Sequence, residues 1–123
     1  MHRSLSSSSV RLPAVLAAMV AASVLAGPAL AARAHATATI RVTMTEFKFV
    51  LSPATAKHGT VTFTLVNKGT LAHDFKIAGK KSAMVQPGKT GKLTVTLKAG
   101  KYPYLCTVAG HASAGMKGTL VVK

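Results

Sequence analysis

Cys106, His111 and Met116 are each separated by four residues in the segment YLCTVAGHASAGMKGTLVV, a C-x4-H-x4-M arrangement set between two strand-like runs. A thiolate, an imidazole and a thioether on one loop form a soft ligand set, which selects copper over magnesium, calcium or manganese. A blue-copper centre needs two His and one Cys in a plane, with a weak axial Met. The loop supplies one His, so a second must come from elsewhere. His73 offers it, in NKGTLAHDFKI, where it follows a turn and begins a short apolar strand with Phe75 and Ile77. Two sheets packed face to face can bring the start of that strand beside the end of the Cys-bearing one.

Taken singly these residues have bland readings. A lone Cys in an apolar strand is usually a buried small hydrophobe, and a lone His is more often exposed or structural. The weight lies in the four together at a strand-loop-strand junction. The remaining histidines lack that setting: His58 precedes Gly59 in a turn and is expected in solvent, and His35 lies near a cleavage signal. Met44 and Met84 are expected to be core or half-buried packing residues.

The elements that must position the four belong to the later part of a 123-residue chain. The earlier part reads as a Sec-type export signal. Arg3 and Arg11 flank a serine run, LPAVLAAMVAASVLAG follows, Pro28 breaks it, and the small residues of Ala29-Leu30-Ala31 or Ala34-His35-Ala36 supply the cleavage site. Residues 1–36 are therefore expected to be removed, with cleavage after Ala31 or Ala36, leaving one domain over residues 37–123. An uncleaved anchor is the alternative, since the apolar stretch nearly reaches the roughly 20 residues that span a bilayer. Gly27, Pro28 and the two small-residue sites weigh against it.

A domain this small often recruits disulfides or a metal for stability. One cysteine in the chain rules out an intramolecular disulfide. An unpaired thiol in an exported protein needs a reason, and a bound metal supplies one.

From Thr39 onward apolar residues recur with period two, the pattern of half-buried strands. Ile40, Val42 and Met44 alternate with Thr and Arg, and Phe47 and Phe49 follow beyond Glu46. Val61, Phe63 and Leu65 alternate with Thr60, Thr62 and Thr64, and Leu93, Val95 and Leu97 repeat the pattern. Ser52-Pro53, His58-Gly59, Asn67-Lys68-Gly69, Pro87-Gly88 and Ala99-Gly100 mark turns. The fold class is all-β, a sandwich. At most a short helical turn is expected, near Ser82 to Val85 or Ala112 to Ala114. Tyr102 and Tyr104 share strand parity with Cys106 and are expected to pack beneath the site.

Sixteen Lys and Arg stand against Glu46 and Asp74, a formal net charge of +14. Loss of Arg3, Arg11 and Arg33 with the export segment leaves about +11. Such a field favours anionic partners or anionic membrane surfaces. Export argues against nucleic acid, and so do lysines that never run longer than Lys80-Lys81. With one Glu and one Asp there is almost no material for general acid-base catalysis, so an enzyme is not expected.

NKGTLAHDFKI followed by GKYPYLCTVAGHASAGMKGTLVV resembles the small bacterial cupredoxins, the group of plastocyanin, azurin, amicyanin and rusticyanin, and TEFKF resembles their opening strand. The resemblance spans roughly Ile40 to Lys123. It implies a Greek-key β-sandwich and one copper ion, with His73, Cys106 and His111 as equatorial ligands and Met116 as the axial one. It further implies a monomeric, periplasmic or extracytoplasmic carrier of single electrons between redox proteins, which for so basic a domain would present acidic docking surfaces. The small residues Ala109, Gly110, Ala112, Ala114 and Gly115 would form a flat docking patch around His111. Storage or delivery of copper without redox turnover is the alternative, and a metal-free scaffold a third reading. One departure stands out. Asp74 follows the first His where such proteins commonly have Asn or Ser, and it is expected to accept a hydrogen bond from the backbone or hydroxyl of Thr107.

Overall fold

The computed structural model describes residues 9–11, 13–14, 22 and 37–123. The chain divides into two units, Met1–Ala31 and Ala32–Lys123, and the architecture that follows is that of the second. Apart from those few positions, the expected export segment lies outside the described residues. Among the described residues no helix is long and apolar enough to cross a membrane.

The strands run β1 (Thr37–Thr45), β2 (Lys48–Ser52), β3 (Thr55–Ala56), β4 (Gly59–Asn67), β5 (Lys76–Ile77), β6 (Lys80–Lys81), β7 (Thr90–Leu97), β8 (Gly100–Leu105) and β9 (Lys117–Val122). One sheet has the order β2-β1-β4-β7 and the other β3-β9-β8-β5-β6. Both are mixed, because β1 pairs in parallel with β4 and β3 in parallel with β9. A parallel neighbour cannot be reached by a hairpin. Here the chain leaves the first sheet after β2, adds β3 to the second, and returns as β4. The expected all-β sandwich is thus the observed one.

Strand alternation fills the space between the sheets. Ile40, Val42 and Met44 from β1, Val61, Phe63 and Leu65 from β4, and Val95 and Leu97 from β7 are buried, as are Leu120 and Val122 of β9. Each such side chain contributes on the order of 1.5–3 kcal/mol when fully buried. Four rings meet in the middle: Phe75 lies 5.0 Å from Phe63, 5.3 Å from Phe49 and 5.4 Å from Tyr104. Tyr104 therefore packs under the site as its parity implies, over its cross-strand partner Gly118, where any Cβ would strike the phenol. The outward face of the first sheet carries the threonines, and the Thr62 and Thr94 hydroxyls meet across β4 and β7 at 3.3 Å.

Three expectations need correction. Met84 is exposed, not packed, because Ser82 to Val85 is an extended crossing segment whose inward positions are Ser82 and Val85. That segment holds no helical turn, since Val85 is engaged in a bridge to His73. The tight turn lies in the ligand loop, where Ala114 N–H donates to Gly110 O and His111 O. Phe47 does not extend a strand with Phe49; it occupies the β1–β2 turn and is partly exposed.

Replacement of Phe63 by Ala should cost about 3–5 kcal/mol in urea unfolding, because it opens a cavity among these rings. Val50→Ala, at an exposed position of β2, should stay within about 0.5 kcal/mol.

Candidate metal centre

β5 pairs antiparallel with β8, Lys76 opposite Leu105. That register places the residues before β5 beside those after β8, and His73 beside Cys106. The backbone then fixes each donor. His73 N–H donates to Val85 O at 3.1 Å, and Val85 N–H donates back at 2.7 Å. Cys106 N–H donates to Met116 O at 3.1 Å, Met116 N–H to His111 O at 3.0 Å, and His111 N–H to Val108 O at 3.0 Å. The nine residues between Cys106 and Met116 are thereby closed into a loop.

Inside it the donor atoms of His73, Cys106 and His111 lie within 4.8 Å of one another. His73 Nδ1 stands 3.1 Å from His111 Nδ1, and Cys106 Sγ lies 3.6 Å from His111 Nδ1. His73 is fully buried, Cys106 is 1% exposed and His111 8%. Met116 ends the same loop with its side chain wholly buried. Of the four residues singled out in the sequence, three converge at their donor atoms and the fourth closes the loop that carries two of them.

Asp74 braces this arrangement. One carboxylate oxygen accepts the Thr107 N–H at 2.6 Å, and the other accepts the Thr107 hydroxyl. The residue after His73 is thus joined twice to the residue after Cys106.

Glu46 performs the same service on the other side, and nothing in the sequence pattern announced it. Its Oε1 accepts Thr70 N–H at 2.6 Å and Leu71 N–H at 2.7 Å, and lies 3.4 Å from His73 Nε2. The Leu71 N–H, with that of Thr70 and the His73 ring, holds this carboxyl down to about 2, against a smaller opposing effect of desolvation. It is therefore ionised at any physiological pH. With Nε2–H directed at Glu46, Nδ1 of His73 is left as the lone-pair donor facing Cys106 and His111, the division expected of a ligating imidazole. Gly69 makes the approach possible, since a Cβ there would collide with the Glu46 carboxylate.

A third brace is Asn67, 1% exposed. Its amide donates to Leu71 O at 2.7 Å and Val85 O at 2.8 Å, while its own oxygen accepts Gly69 N–H at 2.9 Å. The turn signal Asn67-Lys68-Gly69 marked the bend but not these long-range bonds. The scarcity of acids was the one available hint for Glu46, because an acid among so many cations stands out.

The loop around His111 is exposed at Ala109, Gly110, Ala114 and Gly115 and half-buried at Ala112. The imidazole itself is covered edge-on by Phe47, with ring centroids 5.0 Å apart at 74°. His58 is exposed and bonds Lys123 O through Nδ1 at 3.0 Å, outside the cluster.

Two buried imidazole nitrogens 3.1 Å apart, aimed at each other beside a thiol, fit one shared cation. The cluster offers nitrogen and sulfur and no carboxylate oxygen, which suits a soft or borderline transition metal. Burial lowers the His73 imidazole and raises the Cys106 thiol from their ordinary values. The first effect keeps a lone pair available. The second means that the thiolate needs a neighbouring positive charge, which a metal provides.

A model of the cupredoxin-like domain matches residues 14–122, and the chain belongs to that family. Auracyanin-B of Chloroflexus aurantiacus is 50% identical over 42 residues, a match that covers 33% of this chain and 18% of that protein. The structure of auracyanin B superposes with a TM-score of 0.63 at 23% identity, covering 72% of this chain and 90% of that one. Auracyanin A, a "blue" copper protein of Chloroflexus aurantiacus, gives 0.57 at 22% identity, covering 72% and 100%. A mutant of amicyanin in its reduced Cu(I) form gives 0.53 at 28% identity, covering 69% and 82%.

Asp74→Ala should cost about 1–2 kcal/mol of stability by removing both hydrogen bonds to Thr107. In the same variant, hydrogen exchange at the Thr107 amide should accelerate by at least about tenfold. Unchanged exchange there would mean that Asp74 does not hold the loop.

Proposed function

We propose that the chain is an exported electron carrier, holding one copper ion on His73, Cys106 and His111 with Met116 as a weak fourth ligand. The observation that carries this reading is the convergence of two imidazole nitrogens and one thiol in a buried cluster. The likeness to auracyanin A, a "blue" copper protein, and to a Cu(I) amicyanin supports the choice of metal. Copper, when bound, supplies a centre that alternates between Cu(I) and Cu(II) by a single electron.

The chain's own contribution is rigidity and exclusion of water. His73 is held by Val85 through its backbone and by Glu46 through its ring. Cys106 and Met116 are joined through the backbone, and Asp74 ties Thr107 to the His73 segment. Donors so constrained move little between oxidation states, and a small rearrangement means a low barrier to transfer. Catalysis finds no material here. Glu46 and Asp74 are both committed to backbone donors, which leaves no carboxylate in the cluster to move a proton.

Export by removal of residues 1–36 would place a single domain of residues 37–123 in the periplasm or another extracytoplasmic space. Redox proteins with acidic docking surfaces are the partners that its charge suits, and a monomer is the expected state. Storage or delivery of copper remains the rival use of the same four ligands.

An optical and electron-paramagnetic-resonance spectrum of the copper-loaded protein tests the assignment. An intense visible charge-transfer band, abolished in Cys106→Ser, is expected for electron carriage, whereas a colourless copper complex would favour the rival. Met116→Leu should keep copper and colour while raising the reduction potential, because a weak donor to Cu(II) is lost.

A further inference from the structure

The second sheet carries a row of lysines next to the site. In the row formed by β6, β5, β8 and β9, Lys81 lies opposite Lys76, Lys76 opposite Leu105, and Leu105 opposite Lys117. The three lysines are exposed and Leu105 is half-buried between them. At the usual strand spacing of roughly 4.8 Å, the row spans about 15 Å. Like charges directly opposite one another on paired strands destabilise the pairing, so Lys76 against Lys81 is a cost to the fold.

No acid offsets it. Among the described residues the acidic side chains are Glu46 and Asp74, and both are turned into the ligand loops. The one ion pair among those residues is His73 with Glu46. The row is also the nearest outward surface, by chain, to two proposed ligands: Leu105 precedes Cys106 and Lys117 follows Met116.

We propose that Lys76, Lys81 and Lys117 form the docking surface for the acidic patch of a redox-protein partner. The proposal rests on the electron-carrier reading and names the face that serves it. Opposite charges meeting here would steer encounter and hold the partner one residue from Cys106. Protein, and not bilayer, is the occupant that the face suits. Binding to a membrane interface draws on projecting Trp, Phe or Leu that enter the headgroups. The exposed large apolar side chains of the domain, Phe47, Val50, Leu71 and Met84, lie outside this row.

The test uses the full copper-loaded chain, with reduced cytochrome b5, an acidic haem protein, as electron donor in stopped flow. A triple variant, Lys76→Gln with Lys81→Gln and Lys117→Gln, is compared with Lys57→Gln, Lys98→Gln and Lys123→Gln. The second set removes the same charge at the opposite end of the sandwich, beyond Gly100 and Val122. At low ionic strength the row variant should react at least about fivefold more slowly than the parent, with a shallower salt dependence, and the control set less than about twofold more slowly. Equal losses in the two sets would assign the effect to net charge and overturn the row, as would no loss in either. Loss of binding to phosphatidylglycerol vesicles in the row variant, with an unchanged cytochrome rate, would make the face a membrane surface and overturn the protein partner. Cyclic voltammetry separates the two levels of failure. A reversible wave in the parent and both variants leaves the electron-carrier reading standing while the row falls, and its absence in the parent overturns both.

Discussion

The double hydrogen bond from Thr107 to Asp74 is the join on which the cluster depends. His73 and Cys106 flank neighbouring strands of one sheet, not facing strands of two, and the pairing that brings them together is short: β5 meets β8 through only Lys76 and Ile77. A two-residue ladder fixes register poorly by itself. Asp74 extends it beyond the last paired residue by seizing both the amide and the hydroxyl of Thr107. The chain has one cysteine, which lies in the cluster and has no partner in the chain for a disulfide. A carboxylate and a threonine supply the crosslink instead.

The same logic extends outward. Glu46, in the turn after β1, pins the loop that precedes His73, and Asn67 pins that loop to Val85, which in turn holds the His73 backbone. Beneath them Phe75 locks the segment into the aromatic centre of the core against Phe49, Phe63 and Tyr104. The fold thus meets the entropic cost of assembling the donors before any metal arrives. A metal that binds only the assembled donors returns its binding free energy as folding free energy, which matters most in a domain too small to rely on its core alone.

Period-two alternation made β1, β4 and β7 legible, since each buries one face and the burial falls on the residues the alternation selects. The Cys-His-Met loop was legible because its ligand types are rare together, and His73 because the resemblance supplied its role. Asp74 was legible for a local reason: it sits beside His73, and Thr107 beside Cys106. Glu46 and Gly69 were not. Their meeting depends on β1 lying parallel to β4, with Met44 opposite Asn67, a pairing between strands that are not consecutive. Phe47 was misread for the opposite reason. Phe47 and Phe49 are spaced by two beyond Glu46, like a strand pair, but the chain turns at Glu46 and Phe47 and the Phe47 ring lies over His111. Met84 failed because its neighbours Ser82 and Val85, not the methionine, take the inward positions of a crossing segment.

Scarcity of acids gives the molecule two electrostatic regions that answer to different conditions. Both carboxylates are committed to hydrogen bonds around the cluster, Asp74 in the interior and Glu46 at its partly exposed edge. The lysines stand outside and unopposed, fully subject to salt. A carrier built this way separates two properties that a mixed surface would couple. Ionic strength acts mainly on encounter, through the exposed cations, and less on the field of the buried Asp74. The cost is self-repulsion of a basic shell, which destabilises the compact state. A β-sandwich closed by several hydrogen-bonded crosslinks near the site can tolerate that repulsion on the sheet that carries Lys76, Lys81 and Lys117.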